Sequence, residues 1–198
     1  MNRAHNVVCS SRWWSRRAEH ELVPFGLRGV ELGDDVLEVG PGFGATTRVL
    51  AGSVDRLSVL ELDPRYCEKL RTELGNGSGG VEVVQGDATA LPFPDGRFSA
   101  VLCFTMLHHI PTAAQQDQAF AEVARVLRSG GTFAGTDSIG TGWLFHAIHV
   151  GDTLNLIDPD TLPARLSAAG LAVDEVKRGG RSFRWRATRR YFPRKNAE

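Results

Sequence analysis

Val36-Leu-Glu-Val-Gly-Pro-Gly-Phe-Gly-Ala45 is the stretch on which the reading of this chain turns. A short apolar strand, Val36–Val39, runs into glycines at alternate positions, Gly40, Gly42 and Gly44. Glycine permits a sharp turn and lets a ligand lie against bare backbone. Glu38, on the strand just before the turn, limits the charge of that ligand. A loop that cradles a pyrophosphate is poorly served by a fixed negative charge beside it, whereas a ligand carrying an ammonium and a sulfonium tolerates one.

Outward from this loop, strands and helices alternate. Leu57–Leu62, Val81–Gln85, Phe98–Phe104 and Thr132–Thr136 read as further strands. Helices are expected after the glycines (Thr46–Gly52), from Pro64 to about Leu74, over Ala113–Leu127 and over Pro159–Ala169. In the third of these, Phe120, Val123, Ala124 and Leu127 recur at helical spacing. Ser129-Gly-Gly131 is expected to stop that helix, and Asn76–Gly80 is a loop by composition. Residues 12–29 read as a helix broken by Pro24 and Gly26, and residues 140–157 are less regular. Leu171–Val176 and Ser182–Thr188 close the chain as strands. In the last, Phe183, Trp185 and Ala187 alternate with Arg184 and Arg186, the pattern of a half-buried strand. Such alternation predicts a mostly parallel sheet covered on both faces, with a ligand at the carboxyl ends of its strands. The loops after Val39, Leu62, Gln85 and Phe104 should therefore converge on one pocket.

Composition sets bounds on function. The chain has 198 residues, 42% hydrophobic and 23% charged, enough for one domain with a core of its own. No apolar run reaches the roughly 18 residues that span a bilayer, and no apolar segment follows the N-terminal arginines as a signal peptide requires. Three cysteines without metal-type or CxxC spacing suit a reduced, cytoplasmic protein. Net charge is zero but uneven: residues 177–195 carry nine Lys/Arg and no acid, leaving 14 basic and 22 acidic residues before them. Either this run is a solvated strand face with a tail, or it meets an anionic partner.

The loop residues narrow the ligand. Gly40-x-Gly42-x-x-Ala45 alone also fits a loose dinucleotide pattern. Glu61, 19 residues after Gly42, suits the ribose hydroxyls of any adenosine cofactor. Asp87, after the third strand, adds an acceptor for an adenine amino group, which dinucleotide enzymes do not ordinarily need.

Together, Glu38-Val-Gly-Pro-Gly-Phe-Gly44, Glu61-Leu-Asp63, Gly86-Asp87-Ala88 and Arg125-Val-Leu-Arg-Ser-Gly-Gly131 resemble the ordered motifs of the class I S-adenosylmethionine (SAM)-dependent methyltransferases, in the small-molecule branch that includes quinone-biosynthesis enzymes. Ser129 stands where that family often has proline. The resemblance covers residues 35–138. It implies an α/β fold: a Rossmann-like, doubly wound, seven-stranded sheet, mostly parallel, with the last strand antiparallel. It divides a single domain into an N-terminal helical cap (1–34), a SAM-binding core (35–138) and a lid segment with C-terminal strands (139–198). It implies EC 2.1.1 chemistry with SAM as cofactor and S-adenosylhomocysteine as product. By position, Glu38, Gly40, Gly42 and Gly44 would surround the methionine part, Glu61 the ribose and Leu62 the adenine face. Asp87 and Ala88 would read the adenine edge, with Thr105 and Met106 near the sulfonium.

Methyl transfer from a sulfonium needs alignment first, and a base only if the nucleophile must lose a proton early. His108, just after the fourth strand, and His149, in the irregular 140–157 segment near His146 and Asp152, are the candidate bases. His109 reads as structural. Trp13, Trp14 and Phe43 are candidates to cover the ligand, and Trp143, Leu144 and Phe145 to line an apolar acceptor site. The histidines and cysteines show no metal-ligand spacing, so no metal is expected. The expected partner is a small-molecule acceptor. A nucleic-acid methyltransferase is the alternative, favoured by the basic run, but Cys103-Phe-Thr-Met106 lacks the Asn/Asp-Pro-Pro-aromatic sequence that amino-directed base methyltransferases share. A NAD-type oxidoreductase is a further alternative, opposed by Glu38 and Asp87; a non-catalytic SAM-binding protein is another.

Overall fold

The computed structural model describes residues 2–75, 80–140 and 142–191. The loop expected at Asn76–Gly80 falls almost wholly outside them, as do Arg194 and Lys195 of the basic run. Seven strands form one sheet: β1 (Asp35–Val39), β2 (Arg56–Glu61), β3 (Glu82–Gln85), β4 (Phe98–Phe104), β5 (Leu127–Ser138), β6 (Leu171–Gly179) and β7 (Ser182–Arg189). Their spatial order is β3-β2-β1-β4-β5-β7-β6. The pairs among β1–β5 are parallel, while β7 runs antiparallel to both neighbours. The expected doubly wound sheet with an antiparallel last strand is therefore present. The order reverses between β1 and β4, so a crevice opens there at the strands' carboxyl ends.

Helices α1 (Arg3–Cys9), α2 (Arg12–Arg17), α3 (Val23–Gly26), α4 (Ala45–Leu50), α5 (Pro64–Leu74), α6 (Ala113–Val126), α7 (Trp143–Ile148) and α8 (Leu162–Ala168) surround the sheet. Two apolar clusters sandwich it. Phe120 of α6 and Leu162 and Leu166 of α8 join Val101, Phe133 and Trp185 on one face. Val23 of α3, Leu50 of α4 and Leu70 of α5 join Val36, Val59 and Leu102 on the other. Fully burying each such side chain contributes about 1.5–3 kcal/mol relative to leaving it exposed.

Local chemistry fixes the helix ends near the crevice. Asp63 caps α5 by accepting the Arg65 N–H at 2.9 Å, with Pro64 at the first turn. Thr112 caps α6 by accepting the Gln115 N–H at 3.2 Å. Two expectations need correction. Pro24 does not break the N-terminal helix: a π-helical turn, Ala18–Leu22, joins α2 to α3 directly before it, and the Val23 N–H reaches back to the Ala18 carbonyl. The helix does end at Gly26, as expected, and Gly26 is also tightly packed, since a Cβ there would lie 2.9 Å from the Phe104 ring. Ser129-Gly-Gly131 is not a separate stop. β5 already begins at Leu127, paired with Phe98, and the glycines form an irregularity before pairing resumes at Ala100 and Thr132.

The arginine-rich hairpin β6–β7 is largely consumed by the fold. Arg184 is buried, 2.8 Å from Glu175, and donates to the Phe25 carbonyl at 3.1 Å. Arg186 donates to the Gly29 carbonyl at 2.7 Å and lies 3.7 Å from Asp174. Arg189 donates to the Arg125 and Leu127 carbonyls, and Arg178 pairs with Asp160 at 2.9 Å. These cations tie strands to neighbouring elements. No helix among the described residues is long and apolar enough to cross a membrane.

Candidate active site

One cavity of about 1120 Å³ lies over the carboxyl ends of β1, β2, β3 and β4. That exceeds the roughly 300–1,000 Å³ of an ordinary single-ligand pocket and gives room for two reactants.

Its first half is built from the glycine loop and the ends of β1–β3. The Gly40 N–H donates to the Leu60 carbonyl at 2.8 Å, which extends the β1–β2 ladder into the turn. Gly40 has φ +70°, and a Cβ there would lie 2.1 Å from Met106 Cγ, so only glycine fits. Gly42, with φ +54°, faces space in which a Cβ would meet nothing within 4 Å. The Glu61 carboxylate spans this loop and its own strand end: Oε2 accepts the Gly42 N–H at 3.0 Å and Oε1 the Asp63 N–H at 2.9 Å. Each oxygen retains a second lone-pair site for a ligand hydroxyl. Burial raises the pKa of Glu61 above its ordinary value, against the backbone N–H groups that lower it. Leu62, exposed, lies beside it on the cavity wall. Asp87 and Ala88 also line the cavity, and Asp87 Oδ1 accepts the Thr89 N–H at 2.8 Å in a turn that holds the carboxylate at the strand end.

Glu38 and Gly44 stand behind this half and not on its wall. Glu38 is buried beneath the loop, where its carboxylate accepts the hydroxyls of Thr46 and, at 2.6 Å, Thr47. Burial pushes its pKa up to about 7 despite those hydroxyls, and the neighbouring Glu61 adds to the rise. Gly44 takes φ +73° as the N-cap of α4. Sequence reasoning missed Thr46 and Thr47 as the partners that allow a carboxylate here at all.

The second half is made of rings. Thr105 leaves β4 at φ +51°, rare for a residue with a branched Cβ. It is held there by its N–H donating to the Thr136 carbonyl at 2.7 Å. A 3₁₀ turn, Leu107–His109, follows. Gln116 of α6 fastens it by donating to the Leu107 carbonyl at 3.0 Å, and the Asn155 N–H does so by donating to the His108 carbonyl at 2.8 Å. His108 is buried with its Nδ1 on Asp137 Oδ1, and its own N–H donates to Asp137 Oδ2 at 3.1 Å. His149 is buried too, with Nδ1 2.6 Å from the Phe145 carbonyl. Burial, the largest influence, lowers its pKa below the ordinary histidine value. The two rings stand 5.3 Å apart, and His109 lies 4.2 Å from His108 and 5.5 Å from His149. Folding thus unites three histidines from two distant segments. Asp137 was missed as well; its place at the carboxyl end of β5, the same end of the sheet, was the available signal.

Trp13, Trp14 and Arg17 from α2, and Trp143, Phe145 and Asp152 from the other side, complete the walls. The Arg17 guanidinium sits 5.6 Å from each indole. Phe43 stacks on Tyr66 at 4.8 Å, outside the cavity lining. Asn2 donates to the Val150 carbonyl at 2.8 Å and so joins the N-terminal wall to the α7 wall. Cys9 lines the cavity, but burial and then the Asp152 charge push its thiol up to about 11, leaving it protonated at neutral pH. Burial likewise raises the Cys103 pKa far above the usual thiol value.

Comparisons with known proteins agree with this geometry. A family profile described as "Methyltransferase domain" matches residues 37–135. The chain is 40% identical over 111 residues to a fatty-acid O-methyltransferase of Mycolicibacterium smegmatis, covering 54% of this chain and 38% of that protein. It is 32% identical over 131 residues to a ubiquinone biosynthesis O-methyltransferase of Thiobacillus denitrificans, covering 61% and 55%. The chain therefore spans roughly two fifths to a little over half the length of these relatives. A protein of known structure from Pyrococcus horikoshii shares the fold with a TM-score of 0.78 at 18% identity, over 96% of this chain and all of that one. Sheet order, strand-end cavity and the matched segment together show that this chain belongs to the methyltransferase-domain family of class I methyltransferases.

Proposed function

We propose that this chain transfers the methyl group of SAM to a small-molecule acceptor, within a single domain made of an N-terminal helical cap (1–34), a SAM-binding core (35–138) and a lid segment with C-terminal strands (139–198). The observation that carries the reading is the Glu61 carboxylate, fixed between the Gly42 N–H and the end of β2 with acceptor sites to spare. SAM, when bound, supplies a methyl group on an activated sulfonium leaving group. The residues present fit it. Glu61 accepts the ribose hydroxyls, Leu62 covers one adenine face, and Asp87 with the Ala88 backbone meets the adenine edge. The open face of Gly42 admits the methionine part against backbone. Glu38 acts from beneath the loop, where it grips Thr46 and Thr47 and where a cationic ligand above would favour its ionised form.

At the other end, Thr105 and Met106 bound the transfer region. His108, oriented by Asp137, and His149 face the acceptor. Each is suited to take a proton at Nε2 from an acceptor hydroxyl or carboxyl as the nucleophile forms. The O-methylating relatives, which act in fatty-acid and ubiquinone chemistry by name, support an oxygen nucleophile on an apolar body. The aromatic walls favour the same class. Three free thiols fit a cytoplasmic setting.

The test is calorimetric titration with S-adenosylhomocysteine, SAM and NAD, for the parent protein and for Glu61→Ala and Asp87→Ala. Micromolar binding of the first two ligands, lost or weakened in both variants, is expected. Absence of that binding, or tighter binding of NAD, would overturn the reading.

A further inference from the structure

The three imidazoles at the acceptor end are arranged for more than proton transfer. One ring nitrogen from each of His108, His109 and His149 lies within 4.8 Å of the other two. Two of the rings are held as metal-binding histidines usually are. His108 has its Nδ1 on a buried carboxylate, Asp137, and His149 has its Nδ1 on a backbone carbonyl, Phe145. Such outer partners fix the tautomer and place the lone pair on Nε2. Asp137 is itself anchored by the N–H groups of His108 and, at 2.6 Å, Ser138. The 3₁₀ turn that carries two of the rings is clamped by Gln116 and Asn155. All three histidines also line the cavity.

We propose that His108, His109 and His149 form a binding site for a divalent transition metal of the zinc class, with a fourth position open to the acceptor. Three neutral imidazoles with one open position are the ligand set of a catalytic zinc site, and an all-nitrogen set without carboxylates disfavours calcium and magnesium, which take oxygen ligands. The sequence spacing gives no hint of it, because the ligands come from the turn after β4 and the residue after α7. The open position would take an oxygen of the acceptor and acidify it by coordination. With metal bound, His108 and His149 serve as ligands, and the acceptor oxygen, acidified by the ion, would release its proton to solvent water instead of to a ring. The role in catalysis rests on the proposed methyl transfer; the existence of the site does not.

The test uses untagged, chelator-treated protein titrated with Co²⁺ alone and then with Zn²⁺. One equivalent of Co²⁺ should give the intense visible bands of a four- or five-coordinate nitrogen–oxygen site, and Zn²⁺ should displace it. His109→Asn should abolish the bands. Asp137→Asn, which keeps all three ligands, should weaken affinity about 10- to 100-fold. Thermal melting of each variant confirms that it is folded, and His109, only half-buried, is the replacement least disruptive to the core. Observation of only the weak spectrum of hydrated Co²⁺, or of a metal affinity that folded His109→Asn retains in full, would overturn the proposal. The titration contains no methyl donor, so its outcome is separate from that of the S-adenosylhomocysteine titration.

Discussion

The two halves of the cavity are built by different means. At the end formed by β1, β2 and β3, the contacts are made by backbone N–H groups and by carboxylates whose partners are a few residues away or one strand over. At the end formed by the 3₁₀ turn, α2 and α7, the surfaces are rings on short elements that meet only in the folded chain. Strand ends in a parallel sheet are fixed by the hydrogen-bond ladder, so a ligand site there tolerates little variation. Short helices at a rim can be exchanged without disturbing the ladder, so the proposed acceptor end is the less constrained of the two and the proposed donor end the more constrained.

The sharpest way to probe this contrast is pH. Glu38 carries a folded-state pKa of about 7 against an ordinary 4.5. The folded protein therefore holds a proton that the unfolded chain has released between these values. The Glu38 contribution to the stability of the unliganded protein should fall as pH rises from about 4.5 to 7, by about 3 kcal/mol, and level off above. Glu38→Gln should flatten the profile in urea melts across that range. An unchanged slope would show that the donor end is not under this electrostatic load. Next in size is Glu61→Ala, expected to weaken S-adenosylhomocysteine binding about 100-fold, since it removes charge-assisted hydrogen bonds worth about 1.5–3 kcal/mol and releases the Gly42 N–H. Gly40→Ala should cost about 2 kcal/mol through its positive φ and its collision with Met106, lowering the melting temperature by about 4–8 °C. Asp87→Ala, at an exposed position, should cost about tenfold in S-adenosylhomocysteine affinity. If Trp13→Ala or Trp143→Ala weakened that ligand as much as Glu61→Ala does, the division into two ends would fail.

The same contrast explains what could be read from the sequence. Donor-end residues occupy fixed offsets from a strand, so Gly40, Gly42, Glu61 and Asp87 could be placed on the cavity from the order of motifs alone. Glu38 was legible as a residue type, but its position beneath the loop depends on Thr46 and Thr47, whose hydroxyls look unremarkable on a helix that has no other sign of function. The acceptor end depends on contacts between distant segments. Nothing near His149 in the chain indicates that it will stand beside His109, and nothing near His108 points to Asp137. The Pro24 expectation failed because a proline needs only that its missing N–H not be required, and the π-helical turn before it meets that condition.

The β6–β7 hairpin bears on how the molecule meets an electric field. Counted along the chain, its cations balance a negative remainder, as if the protein were a large dipole. In space, Arg178 lies against Asp160, Arg184 against Glu175 and Arg186 near Asp174, so for these three the opposite charges are separated by a few ångströms instead of the width of the domain. A dipole moment is charge multiplied by separation. The hairpin thus contributes far less to the molecule's orientation in the field of a charged surface than its arginine count implies.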